Sequence, residues 1–211
     1  MTELISLLPK VKRCFVYRNP DLRRIVGLQD DGSVVAIGTT NSNGQCEVSD
    51  WTNVITIDMD ERRTIALRTD GTVYDTLGEC ANWSDIVDLQ CVDMFGVFGL
   101  RADGTVVFAR DPRYSTGDHL DGLSEWSGVK ALYPYYSSVA GLFYDGTVLI
   151  TGEHTDKKKE AENWTDIVQI WNSLDYVLGL KVDGTFVFAG DTSKLPWTID
   201  ELNAAAGLNR P

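Results

Sequence analysis

The chain has 211 residues, a formal charge of -12 and 43% hydrophobic residues, enough for one sizeable domain or one closed array with a real core. No apolar run approaches the roughly 20 residues of a membrane-spanning helix. The acidic balance argues against a phosphate-backbone binder, which needs a basic footprint; it serves solubility first, and leaves room for a basic protein partner or for mimicry of nucleic acid.

The N-terminal segment MTELISLLPKVKR lacks the basic start, long apolar core and cleavage site of a signal peptide. Residues 1–10 are predicted to form a short helical turn. The four cysteines, Cys14, Cys46, Cys80 and Cys91, show no CxxC spacing and read as free thiols of a cytoplasmic protein. Residues 11–17 read as a strand, 24–29 as a second and 33–37 as a third. Asp31-Gly32 between the last two reads as a type I′ hairpin turn, because Asp tolerates and Gly freely adopts positive φ.

The same phrase then recurs. Asp31-Gly32-Ser33 is followed by Asp70-Gly71-Thr72, Asp103-Gly104-Thr105, Asp145-Gly146-Thr147 and Asp183-Gly184-Thr185. Tryptophans stand at 51, 83, 126, 164 and 197. From each of the first four to the next turn glycine the spacing is 20, 21, 20 and 20 residues. From each turn glycine to the next tryptophan it is 19, 12, 22, 18 and 13, so every unit has a constant half and an elastic half. A period near 40 residues is that of an array or a propeller.

Apolar residues fill the same columns in each copy. Four before the turn glycine stand Leu28, Leu67, Leu100, Leu142 and Leu180, and two after it Val34, Val73, Val106, Val148 and Phe186. Three after the tryptophan stand Val54, Ile86, Val129 and Ile167; six after it, Ile57, Leu89, Leu132 and Ile170. Branched residues on short runs bounded by turns are strand signals, and the shared columns predict that each unit buries the same positions. The elastic halves (38–50, 74–82, 109–125, 152–163 and 190–196) read as loops with a short outer strand. Lys157-Lys158-Lys159 reads as a solvated loop cluster.

The chain starts with strands that lack their tryptophan and stops after Trp197 without its strands. Pairing head with tail would complete a fifth unit and remove exposed sheet edges. The expectation is an all-β, five-bladed β-propeller over residues 1–211, with the array at about 11–197 and a tail at 198–211. Thr198-Ile199-Asp200-Glu201 is a capping-box pattern, predicting a helix over 199–206 stopped by Gly207.

The stretch 41–73, with Gly44-Gln45, Trp51, Leu67 and Asp70-Gly71-Thr72, resembles the repeat of the regulator of chromosome condensation family. The resemblance covers about residues 11–197 and implies a β-propeller of four-stranded blades. Family members usually have seven blades, against five units here, and Gly-Gln survives in one copy. Relatives include a guanine-nucleotide exchange factor for a small GTPase, which also docks on chromatin, and secreted protein inhibitors of β-lactamase. None of their contact residues carries over by motif.

The loops between the post-Trp strand and the strand that ends at the leucine column differ in every copy, and in a ring they would converge on one face. They supply the candidate protein-binding residues: Tyr17; Asp60 and Arg62; Met94 and Phe95; Tyr133, Tyr135 and Tyr136; Trp171, Asp175 and Tyr176. Aromatic residues, Met and Arg bury large areas and keep a polar handle. The turn aspartates, with Asp85 and Asp166 nearby, would form an acidic opposite face, although each turn explains its own aspartate.

No catalytic residue, cofactor or metal is expected. The histidines, His119 and His154, lie in elastic loops, and no HExxH, GxSxG, CxxC or phosphate-loop pattern occurs. Ligand clusters for zinc and an EF-hand series are missing. The pair Asp58/Asp60 alone does not make an acid-base site. The expected function is a non-enzymatic protein-interaction module, with an inhibitor that occludes its target as one form. The alternatives are an acidic nucleic-acid mimic, and a lectin-like propeller, which would need the same sugar-binding residues in every copy.

Overall fold

The structure, a computed structural model, describes residues 11–18, 23–39, 41–93, 95–113, 120–153, 155–195 and 197–205. The turn expected at 1–10, the candidate Met94, both histidines and Gly207 lie outside these residues. Among the described residues, fifteen strands make five antiparallel sheets of three consecutive strands. They are β1 Val11–Arg18, β2 Arg23–Gln29 and β3 Val34–Gly38; β4 Val54–Met59, β5 Thr64–Arg68 and β6 Val73–Asp75; and β7 Ile86–Val92, β8 Gly96–Arg101 and β9 Val106–Arg110. Then come β10 Val129–Tyr135, β11 Ser138–Phe143 and β12 Val148–Gly152; and β13 Ile167–Asn172, β14 Tyr176–Lys181 and β15 Phe186–Gly190. A short helix, α1 (Ile199–Ala205), follows. Five such repeated sheets are the β-propeller fold expected from the repeat.

Two expectations are corrected. The sheets have three strands rather than four: among the described residues the elastic halves form turns and 3₁₀ segments at Asp121–Glu125, Asp156–Asn163 and Thr192–Lys194. The reason lies in the approach to each tryptophan. The amides of Trp51, Trp83, Trp126 and Trp164 donate to the carbonyls of Val48, Cys80, Leu123 and Ala161, three residues earlier, so the chain is curled where an outer strand would have to be extended. All four acceptor residues are buried, an apolar column that the sequence reading missed. Every ladder runs within one sheet, β1 pairing with β2, so closure by head-to-tail pairing stays a proposal.

The second correction concerns the turns. A type I′ turn needs positive φ at both central residues. Here only the glycine has it (Gly32 φ 79, Gly71 φ 77, Gly104 φ 81, Gly146 φ 81, Gly184 φ 88), and none of the aspartates does. In the second sheet, Gly71 N–H donates to Arg68 O and Arg68 N–H to Thr72 O, a three-residue turn with the glycine left-handed at its end. The aspartate anchors the turn instead. Asp70 Oδ1 accepts from the Thr72 amide at 3.0 Å and the Thr72 hydroxyl at 2.6 Å, and Asp31, Asp103, Asp145 and Asp183 repeat the pattern.

A bulge explains the spacing of three between buried columns, which a strand of period two forbids. Each first strand shifts register after its opening residue, at Val11/Arg13, Val54/Thr56, Ile86/Asp88, Val129/Ala131 and Ile167/Gln169. The extra residue lets Val54 and Ile57 both face inward, as do Ile86 and Leu89, Val129 and Leu132, and Ile167 and Ile170. The displaced residues, Ile55, Val87 and Val168 among them, face solvent.

The described residues fall into two compact units, one within 11–102 and 108–113, the other within 103–107 and 120–205. In the first, Val26, Leu28, Val34, Val48, Trp51, Val54, Ile57 and Ala66 form one buried cluster, and the Trp51 ring stacks on Tyr74 at 5.0 Å. In the second, Ala140, Leu142, Val148, Ile150, Ala161, Ile167, Ile170, Val177 and Ala189 form another. Trp126 and Trp164 lie against Gly141 and Gly179, where a Cβ would meet the ring at 2.5 and 2.8 Å. α1 has the expected capping box: Glu201 Oε2 accepts from the Thr198 amide at 2.7 Å, and Thr198 Oγ1 from the Glu201 amide at 3.1 Å.

Candidate functional site

The candidate residues of the first unit are tied into its own framework. Asp60 is 2% exposed. Its Oδ1 accepts from the amides of Arg62 (2.7 Å) and Arg63 (2.9 Å), and its Oδ2 lies 3.2 Å from both Arg63 Nε and Cys91 Sγ. Arg63 has no exposed surface and also meets Asp75 at 3.6 Å and Glu79 at 2.8 Å. Burial pulls its pKa down, but Asp60, Asp75 and Glu79 outweigh that and hold it above the usual arginine value. Arg24, also buried, donates to the carbonyls of Asp60 (2.6 Å) and Arg63 (2.7 Å) and lies 5.5 Å from the Tyr17 ring centroid.

Tyr17 is half-buried and donates to Asp93 at 3.2 Å. Asp93 also accepts from the Glu61 amide at 2.8 Å; burial raises its pKa, and these two hydrogen bonds oppose the rise. Arg62 pairs with Asp111 at 3.2 Å. Phe95 is buried. Burial and these bonds commit Asp60 and Phe95 to the fold, so neither offers a surface to a partner. Gln45, from the motif that carries the family resemblance, is buried too. Its Oε1 accepts from the Asn43 amide at 2.9 Å, and its backbone carbonyl from Thr64 Oγ1 at 2.7 Å.

The second unit presents its candidates differently. In the β10–β11 turn Tyr135 is 41% and Tyr136 56% exposed, with ring centroids 5.9 Å apart. Tyr136 has φ 50, a left-handed conformation that costs a bulky residue energy and recurs at functional sites. In the β13–β14 region Trp171 is 45% and Leu174 41% exposed. Tyr176 is half-buried against Phe188 at 5.6 Å. Tyr133 is half-buried, its hydroxyl accepting from Gln169 Nε2 at 3.2 Å and its carbonyl from Asn172 Nδ2 at 2.9 Å.

Lys158 ties the two turns together. It is read from the sequence as solvated, yet its side chain has no exposed surface, and this is the main correction at the site. Its Nζ donates to Ser138 Oγ at 2.8 Å, Asn172 Oδ1 at 3.2 Å and Ser173 O at 2.9 Å. Three neutral oxygens satisfy the ammonium, which is what a buried charge requires. Burial lowers its pKa to about 8, Asp175 acting in the opposite direction. Nothing in a run of three lysines marks the middle one for burial. Lys157 stays exposed and pairs with Asp191 at 3.1 Å, and Lys159 pairs with Glu162 at 2.9 Å. Beside the second turn a cleft of about 390 Å³ is lined by Asp156, Lys157, Leu174, Asp175 and Asp191. Asp191 is held down to about 2 by the Ser193 hydroxyl and by Lys157.

Among the described residues no three His, Cys, Asp or Glu side chains gather to hold a metal ion, all four cysteines are free, and no helix is long and apolar enough to cross a membrane.

These features define a β-propeller-class repeat protein with exposed aromatic residues on its second unit. No protein-family model and no curated protein matches the sequence. Solved structures do. The fold is similar to that of human WBSCR16 (TM-score 0.55, 14% identity, 85% of this chain and 62% of that one). It is similar to the CRINKLY WD40 ectodomain of the Arabidopsis thaliana receptor kinase ACR4 (TM-score 0.52, 14% identity, 86% and 70%). It is also similar to yeast RCC1 (Prp20), solved bound to Kap60 (TM-score 0.51, 10% identity, 79% and 54%). The chain thus spans less than two thirds of WBSCR16 and of RCC1. At these identities the likeness establishes the fold.

Proposed function

We propose that this chain is a non-enzymatic protein-interaction module whose docking surface is the pair of turns carrying Tyr135, Tyr136, Trp171 and Leu174. One observation carries the reading: two turns joined through Lys158 hold four large apolar side chains that are 41–56% exposed. Exposed aromatics on a rigid backbone are what hot spots are made of, since they bury much area and lose little conformational freedom on binding. RCC1 bound to Kap60 is a protein of this fold engaging another protein. The net charge of -12 and the carboxylates of the adjoining cleft favour a partner with a basic surface. In its narrower form the module is an inhibitor that covers its target, acting in the cytoplasm.

The test is affinity capture from the source cells with the wild type and with Tyr135→Ala/Tyr136→Ala/Trp171→Ala, Tyr17→Ala serving as the control. Proteins captured by the wild type and by the control are expected to be lost from the triple variant. Equal capture by all three removes the surface. The same charge supports a second reading, a nucleic-acid mimic; it requires capture that weakens steeply with salt, and salt-insensitive capture rejects it.

A further inference from the structure

The β10–β11 turn that displays Tyr135 and Tyr136 is joined to Lys158 through one hydroxyl. Ser138 Oγ accepts from Lys158 Nζ at 2.8 Å and, at the longer distance of 3.5 Å, from Asn172 Nδ2, and it donates to Tyr135 O at 3.3 Å. Ser138 is buried, as is Lys158, so water cannot replace either bond cheaply. The ammonium has three protons and three acceptors, and all are used. A neutral amine has two protons and a lone pair. When Lys158 loses a proton, Asn172 Oδ1 and Ser173 O can keep their donors. Ser138 can then stay bonded to Lys158 only by turning its O–H onto the nitrogen, away from Tyr135 O.

We propose that Lys158 and Ser138 form a proton-linked relay that holds the Tyr135–Tyr136 turn in its displayed form while Lys158 is charged and releases it when Lys158 is neutral. The turn is the part poised to move, since Tyr136 is strained at φ 50 and the Ser138 hydroxyl is the side-chain tether on the carbonyl before it. Lys158 titrates near 8, within reach of ordinary cellular and experimental pH. The 3₁₀ segment that bears it packs on β12, β14 and β15. Among the described residues, the titratable groups of the surroundings are Asp156, Lys157, Lys159, Glu160 and Glu162 on the segment itself, Glu153 after β12, Asp175 and Tyr176 at the start of β14, Lys181 at its end, and Asp191 after β15. Two of these lysines are already paired, Lys157 with Asp191 and Lys159 with Glu162, and Asp175 is the group that acts on Lys158 through its charge. That the relay gates docking rests on the reading above; that it moves the turn does not.

The experiment follows the amide resonances of Tyr136, Ser137 and Ser138 and the ring resonances of Tyr135 and Tyr136 by NMR, from about pH 6.5 to about pH 9. In the wild type they are expected to shift together with a midpoint near 8. Ser138→Ala is expected to lose the response at Tyr135 and Tyr136 while the Lys158 side chain still titrates. Asp175→Asn is expected to move the midpoint to lower pH, because the charge that favours the ammonium is gone. A wild-type turn that stays unchanged across this window overturns the relay, as does an undiminished Tyr135 response in Ser138→Ala or an upward midpoint in Asp175→Asn. None of these readouts needs a partner, so loss of capture by the aromatic variant together with a pH-silent turn would reject the relay and leave the docking surface standing.

Discussion

The Val129 amide donates to the Gly104 carbonyl at 3.0 Å, so the turn of one repeat is bonded directly to the first strand of the next. Val54 to Gly32, Ile86 to Gly71 and Ile167 to Gly146 repeat the bond at the same distance. A second bond returns from each following hairpin: the amides of Thr69, Ala102, Tyr144 and Val182 donate to the carbonyls of Asn53, Asp85, Gly128 and Asp166. Those four acceptors all have positive φ, between 58 and 74. They are Asn, Asp or Gly, the residues that tolerate this conformation.

The staple makes the turn glycine irreplaceable for two separate reasons. In Gly104→Ala the new Cβ would stand 2.9 Å from the Cα and N of Gly128, at a φ of 81. We expect a loss of about 2–3 kcal/mol, combining left-handed strain with backbone displacement. Gly78 has a similar φ of 75 but nothing within 4 Å, so Gly78→Ala should lose only about 1 kcal/mol. Urea denaturation of both variants checks the ranking.

Arg63 holds three carboxylates, Asp60, Asp75 and Glu79, with its own side chain wholly buried. Arg63→Leu removes the cation that these three ion pairs share. We expect a loss of about 3–5 kcal/mol, the usual result of breaking a buried pair from one side. Lys157→Ala, at the exposed Asp191 pair, should change stability by less than about 1 kcal/mol. Thermal melts of the two variants separate buried from exposed charge.

Lys158 makes stability rise with alkaline pH. Its pKa falls from the ordinary 10.5 to about 8 on folding, so between these values the unfolded chain binds the extra proton. The contribution is complete above 10.5 and is lost as pH falls toward 8. The difference amounts to about 3 kcal/mol. The stability gap between wild type and Lys158→Met should therefore shift in favour of the wild type by about that much from pH 8 to pH 10.5. Urea titrations of both proteins across this range measure it, and parallel curves would contradict it.

Tyr136 stands at φ 50 with more than half its surface exposed. Tyr136→Gly should leave the fold intact and raise its stability by up to about 1 kcal/mol, by relieving left-handed strain. Partner capture should weaken in the same variant. A gain in stability with a loss of binding is the signature of a strained contact residue, and a loss of both would assign the side chain a packing role instead.

The scaffold was legible because each repeat states it again. The columns at Leu28, Val34, Val54 and Ile57 mark buried positions, and all four are buried, whereas in the last copy Leu180 and Phe186 are only half-buried. The turn aspartates bind their own turns as the Asp-Gly pairs imply, although with one left-handed residue instead of two. The bulge was hidden in plain view, since buried positions three apart cannot lie on one face of a regular strand. The short column before each tryptophan (Val48, Cys80, Leu123 and Ala161) was obscured by the varied length and chemistry of the elastic halves.

The candidate site was legible only by residue type. Aromatics and acids in unlike loops look alike on paper, yet Asp60 and Phe95 are consumed by the first unit while Tyr135, Tyr136 and Trp171 face solvent on the second. Sequence alone determined the repeat and where its strands and turns fall, because those depend on near neighbours and recur in every copy. Only the tertiary structure decided which lysine of 157–159 goes inside and which tyrosines stay out, because burial is set by what packs from distant parts of the chain. Ser138, Asn172 and Ser173 come together around Lys158 only once the sheets of the second unit have formed.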